Sequence, residues 1–405
     1  MTDELPPLLY LTHRIPYPPD KGDKLRSFNV LRHLALRHRV FLGAFVDRPD
    51  DARHVDTLKT WCADVRAERI EPRWRRLASL RGLLTGEALS LPYYRSRALA
   101  RWVTETVARE RIAVALVFSG PMAQYLAAPA LTRRVIDFCD VDSAKWTQYA
   151  AGCRWPWSWV YRREGERLAT FERRMALAND ASLFCTDAET ALFTRGAPEA
   201  AARVTTIQNG VDAEFFSPRC EPPNPYPPGG PVLVLTGAMD YWPNIDAAVW
   251  FAGQVLPLIR RSRPEVRFWI VGSNPAPAVR ALAGNGVAVT GGVPDVRPYL
   301  AHADVVEAPL RIAHGIQNKV LEAMAMARPA VVSAAAATGL AAGAEKEFEV
   351  AADAEEFAAL TLGLLADAAR GDAMGRRARE AVRARYGWPA HLARLDDLMG
   401  RDFPV

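Results

Sequence analysis

Ten short apolar runs, bounded by turn residues and separated by helical patterns, leave this 405-residue chain few folds to choose from. In a first series, LLYLT (8–12), VFLGAFV (40–46), VALVFS (114–119), RVIDF (134–138) and ASLFCT (181–186) read as buried strands. FNVLRHLALR (28–37) and LARWVTETVARE (99–110) between them carry the period of amphipathic helices. The pattern then restarts with PVLVLTG (231–237), VRFWIVG (266–272), VAVTGG (287–292), DVVEAP (304–309) and PAVVSA (329–334). Helices are expected at 250–262, 319–327 and 355–369. Apolar strands alternating with helices imply parallel sheets covered on both faces. The expectation is therefore α/β, with two Rossmann-like doubly wound parallel-sheet domains facing across a cleft.

Between the two series, seven of the fourteen residues from Pro218 to Pro231 are proline. Such a stretch cannot join a helix or a central strand, so residues 217–230 read as a semi-rigid linker. The domains are expected at 1–216 and 231–380, followed by a helical tail over 381–405 that crosses back to the first domain.

Composition narrows the function classes. The formal charge of +5 is unevenly spread: residues 1–200 hold 31 Lys+Arg and 24 Asp+Glu, the remainder 20 and 22. Seven of the eleven tryptophans lie in the first half. A basic, Trp-rich half suits an anionic membrane or an acidic substrate, or is a solvated surface over core aromatics. The segment 66–84, with six arginines and Trp74, Leu77, Leu80, Leu83 and Leu84, reads as an amphipathic surface helix. CRWPWSWVYRR (153–163) is a second such patch. No aromatic-interleaved basic groove is present, so nucleic acid is not an expected partner. No apolar run is long enough to span a bilayer, and the acidic, Pro-broken start does not read as a signal peptide. Five scattered cysteines without CxxC spacing suit reduced cytoplasmic thiols.

Five segments carry chemistry. PYPPDKGDKLRSFNVLRHLA (16–35) places Gly22, Lys21, Lys24 and Arg26 between a strand and a helix, where free amides meet anions. It is not GxGxxG, which disfavours a nicotinamide site. RVIDFCDVDSAKW (134–146) clusters Asp137, Asp140 and Asp142 at a strand end, suited to sugar hydroxyls, with Asp142 also a candidate N-cap. The three carboxylates also suggest a metal site, which their alternation on an extended segment and the lack of a supporting histidine disfavour. TIQNGVDAEFFSP (206–218) is a turn. TGAMDYWPNIDAAVWF (236–251) lets Gly237 approach a ligand before Asn244 or Asp246 opens a helix. The strongest segment is 289–333. There HGIQNK presents amides and Lys319 at a helix N-terminus, a pyrophosphate cradle, and Glu322 one turn later suits two ribose hydroxyls.

These residues resemble the family-4 glycosyltransferases of the GT-B fold. NGVDAEFFSP, TGAMDYWPNIDAAVWF, VTGGVPDVRPYLAHADVVEAPL and GIQNKVLEAMAMARPAVV follow the family's order and spacing, the last resembling the second half of its E-x7-E signature. The opening HRIPYPPDKGDKLRSFNVLRHLA and DFCDVDSAKW resemble a narrower group, the sugar transferases of exosortase/PEP-CTERM exopolysaccharide loci. The resemblance implies retaining transfer from a nucleotide diphosphate sugar to a glycan or lipid-linked acceptor. It implies no cofactor and no essential metal. It places Glu322 on the donor ribose, and Lys319 with the amides near Gly315 and Ile316 on the diphosphate. Val293 would flank the base, with Asp295 and Gly237 in the donor set, and Gly22 would admit the donor phosphates to the first domain. His314, Lys319 and Glu322 are the expected catalytic set; His13, Asp140 and Asp142 are acceptor-side candidates.

Two departures stand out. The signature's first Glu is His314, and the family's Arg and Lys after the first strand of the second domain fall near Ala238 and Pro243. Phosphate charge must then come from Lys319, Arg311 and Lys24. A non-catalytic nucleotide-sugar-binding protein and a GT-B sugar-nucleotide epimerase are the alternative readings. The expected location is cytoplasmic, peripheral on the membrane's inner face if the basic patches bind lipid.

Overall fold

The computed structural model describes residues 5–19, 22–220, 222–313, 316–338, 340 and 347–400. They form two compact units, residues 1–208 with 391–405, and residues 209–390.

The first unit is built on a seven-stranded sheet. Its strands are β1 (Pro7–Thr12), β2 (Arg39–Val46), β3 (Asp64–Arg69), β4 (Val114–Phe118), β5 (Arg133–Cys139), β6 (Ala181–Phe184) and β7 (Val204–Thr206). The order is β3-β2-β1-β4-β5-β6-β7, and every pairing is parallel. β1, β2 and β4 are buried almost along their length, as central strands covered on both faces must be.

The second unit holds β8 (Val232–Thr236), β9 (Arg267–Val271), β10 (Val287–Gly291), β11 (Val305–Ala308), β12 (Ala330–Ser333) and β13 (Glu349–Ala351). Their order is β10-β9-β8-β11-β12-β13, again wholly parallel. The expected pair of doubly wound α/β sheets is thus present. The ten expected strands all form; β3, β7 and β13 are additional.

Three differences have physical causes. Residues 66–84 are not one helix. Asp64–Arg69 alternates and pairs as an edge strand, and Pro72 then starts a helix over Pro72–Ser79, followed by Arg81–Thr85. The apolar side chains of those two helices remain on the surface, with Trp74 72% and Leu84 91% exposed. The Pro-rich segment is not a free connection. Within the second unit Tyr226 is buried against Trp269 and Tyr299 and donates its hydroxyl to the Tyr299 carbonyl (2.6 Å). The units part at Asn209, ahead of that segment. The helix Trp388–Met399 carries the chain back into the first unit from His391. There Asp396 meets His33 (2.8 Å) and Arg37 (3.6 Å).

Candidate functional site

In the second sheet the strand order reverses between β8 and β11. Connections leaving those two strands diverge, and ligands of such sheets bind at the crevice their carboxyl ends leave. Gly237 follows β8, and the connection after β11 leads to the helix Asn318–Ala325. The helix has no side-chain cap at Gln317. Its first internal bonds run from the Val320 and Leu321 amides to the Gln317 carbonyl (2.9 and 3.3 Å), so the preceding amides lie ahead of the ladder. Asn318 Oδ1 is buried there without a hydrogen-bond partner.

Lys319 and Glu322, three residues apart, share one face of this helix. The Lys319 ammonium donates to Asn244 Oδ1, and the Asn244 amide donates to the Ala238 carbonyl (2.8 Å). Gly237 closes the cluster. With φ of 147°, it comes so near that a Cβ would lie 2.8 Å from Asn244 Nδ2 and 3.3 Å from Lys319 Nζ. Gly272, at the end of β9, is equally constrained, since its Cβ would lie 1.6 Å from the Gly237 carbonyl oxygen.

The charges are tuned by burial. Desolvation pushes the Lys319 ammonium down to about 8, against the pull of Glu322. It pushes the Glu322 carboxyl up to about 7, against the pull of Lys319. Glu322 makes no side-chain hydrogen bond among the described residues. Cation, carboxylate, uncapped amides and a close-approaching glycine at one crevice suit a ligand that carries both phosphates and hydroxyls.

The other second-unit candidates have different surroundings. Ile316 is buried in the core and Val293 packs against it. Arg311, exposed, is gripped by both carboxylate oxygens of Asp246. Asp295 accepts three bonds from the Arg297 side chain (2.6–3.0 Å), and that guanidinium lies 3.9 Å over the Phe215 ring. Each ion pair competes with a ligand for these groups. His314 and Gly315 lie outside the described residues.

In the first unit the order reverses between β1 and β4. His13 follows β1 and stacks on Phe118 at the end of β4, with ring centroids 5.7 Å apart. Its Nε2 faces Asp23 (3.3 Å), and its Nδ1 is buried without a partner. Arg14 bridges Asp23 (2.7 Å) and Asp47 (3.1 Å). Burial would raise the Asp23 carboxyl, but the His13 hydrogen bond and the charges of His13 and Arg14 hold it well below the usual range. Gly22 is exposed and opens the helix Gly22–Ala35.

Lys24 differs from its expected place. Its ammonium is 1% exposed and pairs with Asp51 (2.6 Å). Arg26 is likewise buried, on Asp137 (2.7 and 3.2 Å) and the Ile207 carbonyl (2.8 Å). The helix turns this face inward, so both charges are spent on neutralising core carboxylates rather than a ligand. Asp140 and Asp142 are both engaged by Lys145 (2.6 and 3.2 Å). Asp142 opens the helix Asp142–Ala151 within its first turn instead of capping it.

The sheet order and the reversal point in each unit are those of a doubly wound, Rossmann-like unit, and the GT-B fold follows from likeness to solved structures. Superposed on solved structures, the chain matches an Anabaena protein, Alr3699/HepE, solved in complex with UDP: TM-score 0.66, 14% identity, 96% of this chain and 98% of that one. The same protein is known with UDP-glucose. Sucrose-phosphate synthase from Thermosynechococcus elongatus matches at TM-score 0.68 and 16% identity, over 97% and 98% of the two chains. WaaG, a glycosyltransferase involved in lipopolysaccharide biosynthesis, matches at 0.66 and 16%, over 97% and 100%. At these identities the likeness establishes the fold. In sequence, residues 230–367, which lie in the second unit, match the family described as glycosyl transferases group 1. No curated protein matches the chain in sequence.

Proposed function

We propose that this protein is a retaining glycosyltransferase that moves a sugar from a nucleotide diphosphate sugar to a glycan or lipid-linked acceptor in exopolysaccharide or cell-surface polysaccharide synthesis. The observation that carries this reading is the Lys319–Asn244–Gly237 cluster with Glu322 one turn away, at the strand reversal of the region that matches the group 1 glycosyl transferases. The UDP and UDP-glucose complexes of the Anabaena neighbour support the donor class. The polysaccharide setting rests on the sequence resemblance.

In this reading Lys319 and the amides ahead of Val320 hold the diphosphate, and Glu322 accepts from the ribose hydroxyls. As the glycosidic bond breaks, negative charge grows on the leaving β-phosphate, and a fixed cation with oriented amides stabilises it there. That leaving oxygen takes up the acceptor hydroxyl's proton on the face it departs, which preserves the anomeric configuration. Asn244 keeps the ammonium from swinging away before the donor arrives. His314 is assigned to the donor sugar. His13, with its unpartnered Nδ1, is the first-unit group assigned to an acceptor hydroxyl. Asp140 and Asp142 stay weaker acceptor candidates while Lys145 holds them. Cation and amides take the place a metal would fill, so turnover is proposed to be metal-independent. The exposed Trp74, Leu77, Leu80 and Leu84, interleaved with arginines, are assigned to an anionic inner-membrane surface. No helix among the described residues is long and apolar enough to cross a membrane.

A thermal-shift panel of UDP-, GDP-, ADP- and TDP-sugars, followed by turnover with excess donor, tests the reading. One donor should raise the melting temperature by mass action, and Lys319→Ala should remove most turnover. No stabilisation by any donor, or full turnover by the variant, would overturn it. Activity lost to EDTA and restored by Mg2+ would overturn metal independence. Vesicle flotation equal with and without anionic lipid would remove the membrane assignment.

A further inference from the structure

Away from the donor crevice, β5 and β6 end side by side in the first unit. The ladder between them slips, with a register shift between Asp137 and Cys139, and Cys139 takes a φ of 69°. The Cys185 amide closes the slipped end on the Cys139 carbonyl (2.7 Å). The result is a three-residue cluster. Cys139 Sγ, an Asp140 carboxylate oxygen and Cys185 Sγ all lie within 4.8 Å of one another. The Cys185 thiol donates to Asp140 Oδ1 (3.0 Å), while Lys145 holds the other oxygen, Oδ2 (2.6 Å).

We propose that Cys139, Asp140 and Cys185 bind a divalent cation of the Zn2+ class. Three groups from two adjacent strand ends converge as ligands of one ion would. Two sulfurs and one oxygen select a borderline-soft cation and disfavour Mg2+ and Ca2+, which take oxygen. Lys145 supplies what ligating carboxylates ordinarily require, an outer partner that fixes one oxygen and leaves the other for the ion. Binding replaces the two S–H bonds by S–metal bonds and releases two protons to solvent. Two thiolates, one carboxylate and the ion then sum to one negative charge, beside the Lys145 ammonium, which also pairs with Asp142. Cys139 and Asp140 are part-exposed, which gives the ion a way in, while Cys185 is buried beneath. With three protein ligands the fourth position falls to water. This site is independent of the donor reading, since no residue is shared with the Lys319 cluster, and with the ion bound Asp140 serves as a ligand rather than an acceptor-side group.

The test uses the full chain, reduced and stripped with chelator, then titrated with Co2+ as a spectroscopic stand-in. One equivalent per chain should give an intense thiolate-to-cobalt absorption with tetrahedral visible bands, abolished by added Zn2+ and indifferent to excess Mg2+. Asp140→Asn keeps both sulfurs, so the absorption should remain while affinity falls at least about ten-fold. The double variant Cys139→Ser/Cys185→Ser should lose the absorption. Wild-type protein without a sulfur-to-cobalt band overturns the proposal. So does a band that survives the double variant, which would place the ion on Cys62, Cys153 or Cys220. Rapid closure of the reduced pair to a disulfide without metal uptake also overturns it. If the double variant fails to fold, the wild-type melting temperature decides: stripped protein should be stabilised by Zn2+ and not by Mg2+.

Discussion

Lys319 and Glu322 are both drawn toward neutrality for one reason, burial at a shared helix end. If donor binding needs the lysine charged and the glutamate ionised, the pH dependence follows with its sign. Below about 7 Glu322 takes up a proton and stops accepting from hydroxyls. Above about 8 Lys319 loses the charge that faces phosphate. A bell-shaped kcat/KM is expected, rising through about 7 and falling through about 8, with both limbs belonging to the coupled pair. Glu322→Gln should flatten the acidic limb and cost about 10- to 100-fold in kcat/KM, the worth of a hydrogen bond to a charged group. An unchanged acidic limb would remove Glu322 from the donor. This pair was legible in the sequence because helical spacing alone puts positions 319 and 322 on one face. Asn244 was legible only as a helix start. Its bond to Lys319 spans 75 residues, and nothing local encodes that. Lys24 shows the converse: its loop is basic in sequence, yet the helix turns that charge onto Asp51 inside the unit.

Among elements, the central strands were the most readable, because burial on both faces leaves an unbroken apolar run. β11 breaks that rule once. Glu307 lies on it fully buried, accepting from Thr361 (3.1 Å), with its other oxygen unpartnered. Desolvation pushes its carboxyl up to about 8, from an ordinary 4.5. The folded state therefore binds the extra proton between those two values. Stability should fall as pH rises from about 4.5 to about 8, by an amount on the order of 3–5 kcal/mol, and then level off. Glu307→Gln keeps the shape without the charge, so it should melt higher at pH 8 and lose that part of the slope. Equal melting of variant and wild type at pH 8 would show that the charge carries no penalty. The edge strand β3 carries a helical pattern in sequence because it is short, arginine-rich and nowhere fully buried. The extra strands β7 and β13 are three-residue pairings, too brief for any period to register.

Across the whole molecule, the chain leaves the first unit at Gln208 and re-enters it at His391. The restart of the strand pattern made two units legible. The parting point was not, because prolines suggest a linker whether or not they pack, and Tyr226 anchors these to the second unit. The returning helix buries Leu392, Leu395 and Met399, and Arg133 donates to the Leu398 carbonyl (2.7 Å). Each buried leucine contributes about 2–5 kcal/mol where its removal leaves a cavity. The tail is therefore part of the first unit's core even though it follows the second unit in sequence. Ending the chain after Ala390 should lower the first unit's stability by several kcal/mol. Hydrogen exchange should rise in the helix Gly22–Ala35, whose His33 loses Asp396, and at the start of β5 around Arg133, while peptides from 209–390 keep their protection. Exchange that rises equally in both units would mean that the last helix supports the second unit as much as the first, contrary to where its buried leucines lie.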